Sequence, residues 1–130
     1  HLKSYSSGDE YVCTWKPRAY HMAGPEDVLN GGIIATIIDC HSICTAIADA
    51  YRRENREINT KPFIWYVTAS LKIDYLRPTP IAELVTLRSR IKEVKGKKTI
   101  VLCSLYSGDE ERVKAEVVAV RVPVDMWYKG

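Results

Sequence analysis

The sequence predicts an α+β domain in which an antiparallel sheet of about five strands wraps around one long central helix. Three observations predict it. Residues 33–54 carry Ile, Ala and Cys on nearly every helical face, the mark of a buried helix. From Ile64 onward the apolar period changes to two. Two glycine turns, at Gly96 and Gly108, flank the β-prone run 99–106. A sheet curled around the helix hides the helix's apolar girth and its own inner face together. The 130 residues suffice for one core, so residues 1–130 read as a single domain.

Each element follows from local cues. Residues 11–15 form a short strand, preceded by the turn signal Ser7-Gly8-Asp9-Glu10 and stopped by Pro17. A loop of turn formers runs through Gly24 and Pro25 to Asn30, Gly31 and Gly32. The helix follows; its exit is charged, with Arg52 and Arg53 suited to a C-terminus, and Pro62 lies beyond its end. In residues 64–75, Trp65, Val67, Ala69, Leu71, Ile73 and Tyr75 alternate with polar neighbours, a strand with one core face. The segment Arg77-Pro78-Thr79-Pro80 breaks it. Residues 83–94, 99–106 and 112–122 give three more strands, so the order is strand, helix, then four strands in a meander. The sheet's outer edge needs a cover, and self-pairing would supply one.

Hydrophobic residues make up 46% and charged residues 27%, which excludes collagen-like, disordered and disulfide-scaffold classes. Nineteen basic residues stand against 16 acidic, net +3, without the dense basic stripe of a nucleic-acid protein. Asp39, His41 and Asp49 interrupt the longest apolar segment and argue against a membrane span. The chain opens with His1 rather than Met, so residues upstream are expected to be missing; no secretory signal pattern is present in what remains. Cys13, Cys40, Cys44 and Cys103 have no framework spacing and read as reduced thiols of a cytoplasmic protein.

Asp39 is the sharpest candidate. Its neighbours at three and four positions are Ala35, Thr36, Ser42 and Ile43, so no cation supports it locally. An unpartnered carboxylate on a buried helix is expected to be desolvated, with a raised pKa, as a general base or nucleophile requires. The alternative is a hydrogen-bonded core Asp at a dimer contact. Asp49, by contrast, has Arg52 and Arg53 at those spacings and reads as a surface ion pair. Gly31 and Gly32 are explained by a tight turn with positive φ or close packing, or by backbone N–H groups left open to an oxyanion. Asn30 reads first as an N-cap. Cys40, His41 and Cys44 lack the further ligands a zinc site needs and read as core thiols and a satisfied His; no metal is expected. Trp15, Trp65 and Tyr66 read as core or interface aromatics.

The run from Asn30 through Gly31 and Gly32 to Asp39, with Val67 to Pro78 and its Tyr75-Leu76-Arg77-Pro78 turn, resembles the hotdog-fold acyl-CoA thioesterases of the phenylacetate-pathway and 4-hydroxybenzoyl-CoA type. The resemblance implies a hotdog fold and hydrolysis of an acyl thioester. It makes Asp39 the base or nucleophile, Gly31 N–H the oxyanion donor and Thr68 the group that orients water, with Asn30 where relatives carry His. Gly24 stands where many relatives carry Asn or Gln; His21, Glu26 and Asp27 are possible stand-ins. Gly32 and Arg77 are candidates for substrate binding. Arg88, Arg90, Lys92, Lys95, Lys97 and Lys98, with Arg77, are a solvated face or a source of contacts to coenzyme A phosphates. A thiolate leaves easily, so no dedicated general acid is required; no metal or organic cofactor is implied.

Eight residues of helix put Gly31 and Asp39 about 12 Å apart along the axis. One thioester carbon cannot meet both on one helix, which implies a homodimer, or a dimer of dimers, with shared sites. The rival class is a non-catalytic hotdog domain that binds acyl-CoA or serves oligomerisation. A dehydratase on the same fold would need a His–acid pair that the sequence does not offer.

Overall fold

The long helix begins where a side chain closes its first turn. Asn30 is extended (φ −61°, ψ 131°), and its Oδ1 accepts the N–H groups of Gly32 at 2.7 Å and Ile33 at 3.4 Å. The computed structural model describes residues 3–7, 10–24 and 27–124. In it helix α1 runs Gly31–Arg53, about 34 Å of continuous helix. Arg52 and Arg53 lie in its last turn, and Asn55 reverses the chain with a left-handed φ of 54°.

Among the described residues, six antiparallel strands form one sheet against it: β1 (Lys3–Ser7), β2 (Glu10–Trp15), β3 (Trp65–Tyr75), β4 (Val85–Lys95), β5 (Lys98–Ser107) and β6 (Glu110–Val122). Their order across the sheet is β1-β2-β4-β5-β6-β3. The sequence predicts about five; the additional strand is β1, whose Ser7 pairs with Glu10 of β2 across the expected turn segment.

The expected four-strand meander is corrected to three. Strands β4, β5 and β6 are joined by two-residue turns in which Gly96 and Gly108 both take φ +62°, a conformation glycine adopts without strain. Strand β3 pairs with β6 instead of its sequence neighbour β4. Residues 76–84 are too long for a tight hairpin, and Pro78 and Pro80 remove two donors. This connection bonds to the loop before the helix: Leu29 N–H donates to Thr79 O and Ile81 N–H to Asp27 O, both at 2.9 Å. The end of β3 is thereby carried past the N-terminus of α1.

A bulge resets the faces of β3. Its register with β6 shifts between Thr68 and Ser70, leaving Ala69 as the extra residue. After the bulge only Ile73 of the expected core face packs against the core; Leu71 and Tyr75 are exposed. Before it the phase inverts: Tyr66 is buried, Ala69 is exposed, and Thr68 reaches the helix. One inserted residue swaps every side chain between faces.

One side of α1, including Ile34, Ile38, Ala46 and Ala50, packs on Val85, Leu87, Val101, Leu105, Val113 and Val117 of the sheet. The helix is long and apolar enough by composition to span a bilayer, and here it serves as the core helix of a sheet. Its burial is one-sided, which corrects the expectation of an all-round buried helix. Gly32, Thr36, Cys40 and Cys44 are exposed along the other side, with Asp39, Ile43 and Ile47 half-buried. A single sheet covers about half a helix's circumference. Cys13 and Cys103 are buried free thiols, whereas Cys40 and Cys44, expected in the core, are exposed. Burial pushes the Cys103 thiol up to about 12.

Asp49 also departs from its reading. Its ion pairs with Arg52 (2.7 Å) and Arg53 (2.8 Å) form, yet the carboxylate is buried and only the guanidinium groups reach the surface. His41 is a core His as expected, with Nε2 3.0 Å from both Tyr11 O and Ser89 Oγ, but it is not fully satisfied: its buried Nδ1 has no partner among the described residues. Trp15 and Tyr66 are buried core aromatics.

Candidate active site

Two sets of groups stand out, one at each end of the first two turns of α1. At the N-terminal set, Gly31 N–H has no acceptor among the described residues. The first N–H groups of any helix lack intrahelical partners, and the Asn30 cap takes the next two. Neither Gly31 nor Gly32 has a positive φ, so the conformational reason for glycine does not apply. A Cβ on Gly32 would come within 3.1 Å of Asn30 Oδ1, tight enough to disturb the cap. A Cβ on Gly31 would meet nothing in this chain closer than 3.6 Å. Packing within the chain does not demand glycine at 31, and its absent side chain leaves the N–H open.

Beside that N–H lies a groove of about 370 Å³, bounded by Gly31, Ile34, Tyr75, Arg77 and Thr79. The alternation places Tyr75 on a core face; instead it is half exposed, and its hydroxyl donates to Gly31 O at 2.7 Å. Its presence in the Tyr-Leu-Arg-Pro turn was the available signal. Arg77 lines the groove and makes an ion pair with Glu110 at 2.5 Å. Among the basic residues singled out, Arg77 is the one at this groove. Arg88 and Arg90 line a charged cleft of about 470 Å³ on the opposite face of the sheet, where Arg88 pairs with Glu10. Lys92 pairs with Glu116, and Lys95, Lys97 and Lys98 surround the exposed β4–β5 turn.

Two turns along, the second set forms. Thr68 Oγ1 donates to Asp39 Oδ1 at 2.5 Å, joining β3 to the helix. The bulge at Ala69 makes this possible by turning Thr68 inward. Two corrections follow: Asp39 is half-buried, not fully desolvated, and it has a hydroxyl partner. No described cation pairs with it, as its helical neighbours suggested. Both features leave a carboxylate with a free oxygen at the open face of the helix.

The remaining candidates fall into place around the first set. Asn30 Oδ1 is occupied by the cap, and Gly32 N–H is committed to it. Gly24 is exposed, with nothing within 4 Å of where a side chain would begin. His21 makes tilted ring contacts with Trp15 (4.8 Å) and Tyr20 (4.2 Å), and its Nδ1 accepts Arg18 N–H. Its carbonyl accepts Asn30 N–H at 2.8 Å, so it supports the cap through the backbone. Asp27 is exposed and contributes its carbonyl to the Ile81 bond; Glu26 lies outside the described residues. Among the described residues, no three His, Cys, Asp or Glu side chains are grouped to hold a metal.

Comparison with known proteins identifies the family. The profile of the Thioesterase superfamily matches residues 26–114, which include both sets. Acyl-coenzyme A thioesterase THEM4 of Rattus norvegicus is 26% identical over 121 residues, which is 93% of this chain and 46% of that protein. The chain thus spans less than half the length of that curated relative. A thioesterase superfamily protein from Shewanella loihica superposes with a TM-score of 0.74 at 34% identity, covering 94% of this chain and 91% of its own. A Haemophilus influenzae thioesterase, 12% identical, shares the fold, with a TM-score of 0.77 over 95% of this chain and 79% of its own.

Proposed function

Because the chain belongs to the thioesterase superfamily, we propose that it hydrolyses an acyl-CoA or related acyl thioester. The observation that carries this reading is the 2.5 Å hydrogen bond from Thr68 to Asp39. It brings together a helix carboxylate and a strand hydroxyl that the sequence singled out separately. Thr68 donates a hydrogen bond to Oδ1, so its oxygen is free to accept a hydrogen bond from a bound water and orient it. Asp39 then takes a proton from that water as it attacks the thioester carbon, or attacks that carbon itself to give an acyl–aspartyl anhydride that water then hydrolyses. The developing oxyanion is met by Gly31 N–H. The tetrahedral intermediate collapses by breaking the C–S bond and releasing coenzyme A as a thiolate. Thiol pKa values near 8.5 make that departure easy without a general acid.

The two sets of groups cannot act together within one chain. On the unbroken helix α1 they are about 12 Å apart along the axis. In the proposed assembly, two chains meet about a two-fold axis with their α1 helices antiparallel, and Asp39 of one faces Gly31 of the other. The exposed side of α1 and the outer edge of β3 are available for that contact.

Turnover of acetyl-, palmitoyl- and benzoyl-CoA, read as free thiol released, tests the activity. Asp39→Asn is expected to lower kcat roughly a hundredfold or more while the fold survives. A variant with near wild-type turnover would move the chemistry away from Asp39. If wild-type protein binds an acyl-CoA yet hydrolyses none of the panel, the non-catalytic reading takes its place. The side-chain differences at Asn30 and Gly24 are what favour that alternative.

A further inference from the structure

We infer that Tyr75 is a positioning residue for the oxyanion donor: its hydroxyl fixes the peptide after Gly31 so that Gly31 N–H stays aimed outward. The inference rests on the proposed role of Gly31. Two consecutive glycines are the least constrained start a helix can have. Of the polar groups on the two peptides flanking Gly31, three are held. Asn30 O accepts Ile34 N–H at 3.1 Å, Gly32 N–H donates to Asn30 Oδ1 at 2.7 Å, and Gly31 O accepts Tyr75 Oη–H at 2.7 Å. The fourth, Gly31 N–H, has no acceptor among the described residues.

The first two bonds are local, made by the cap and by the helix itself. The third comes from the end of β3, 44 residues away in sequence. It therefore ties the first turn of α1 to the sheet. The Gly31–Gly32 peptide is gripped at both ends, by Tyr75 on its carbonyl and Asn30 on its N–H. The Tyr75 ring adds a wall 3.6 Å from where a Gly31 side chain would begin. Tyr75 is half exposed, so core packing does not account for a tyrosine there. A donor held still before the reaction stabilises a transition state better than one that must reorient.

Tyr75→Phe removes the hydroxyl and keeps the ring. On whichever acyl-CoA of the panel wild-type protein hydrolyses, kcat is expected to fall roughly tenfold, less than deletion of the donor itself would cause. KM should stay within about twofold and thermal stability should change little, since binding and packing are untouched. Tyr75→Leu should match Tyr75→Phe in kcat. A Phe variant with full kcat overturns the inference, as does a loss confined to KM, or one explained by unfolding of both variants. If Asp39→Asn is inactive while Tyr75→Phe is fully active, only the positioning role fails. If wild-type protein hydrolyses no acyl-CoA, the reading of the site fails and this inference fails with it.

Discussion

Asp39 and His41 are two residues apart on one helix and face opposite fates. Asp39 points to the open side, where Thr68 meets it. His41 points into the core and shares its Nε2 between Tyr11 O and Ser89 Oγ. Burial holds the His41 pKa below the usual 6.5, partly offset by the Tyr11 bond. The unfolded chain therefore binds a proton at His41 as pH falls below about 6.5, while the folded chain resists it. Stability contributed by the neutral imidazole is present above that pH and is lost on acidification, down to the folded pKa. Thermal denaturation of wild type and His41→Gln between pH 7.5 and 5 should diverge, with the wild type falling more steeply; parallel curves would contradict a buried neutral His41. That Asp39 lacks a cation partner was legible because nothing at three or four positions could neutralise it. Its contact with Thr68 was not, because Thr68 reaches it only through a bulge whose register is set by β6, far downstream in the sequence.

Helix α1 was the most legible element, since its cues are local: a cap, an apolar run, a charged exit. Asn30→Ala should cost about 1 kcal/mol, a drop of about 4 °C in Tm, whereas Asn30→Asp, which keeps an acceptor oxygen, should stay close to wild type. Equal melting of wild type and Asn30→Ala would mean that the cap is not what starts the helix. Strand β3 was legible only in part. Its alternation is plain in the sequence, but the inverted phase before Ala69 and the pairing with β6 are long-range properties. The side on which α1 is open was equally hidden. Cys40 and Cys44 look like core residues by composition, and only the extent of the sheet decides which side of the helix it covers.

At the scale of the whole molecule, the proposed site is divided between two copies. Gly31→Pro removes the N–H at the first helical position, where proline is tolerated and where Asn30 is already in the extended conformation that precedes proline. Asp39→Asn and Gly31→Pro homodimers should each be inactive. A mixed dimer of the two should recover about half the wild-type rate, because one of its two sites contains both intact groups. Folded mixed dimers without activity would refute the shared site. The continuous helix between Gly31 and Asp39 has a kinetic corollary as well. If neither chain can turn over substrate alone, dilution acts as an inhibitor: far below the dimer dissociation constant, the rate should rise with the square of protein concentration, becoming first order only once association is complete.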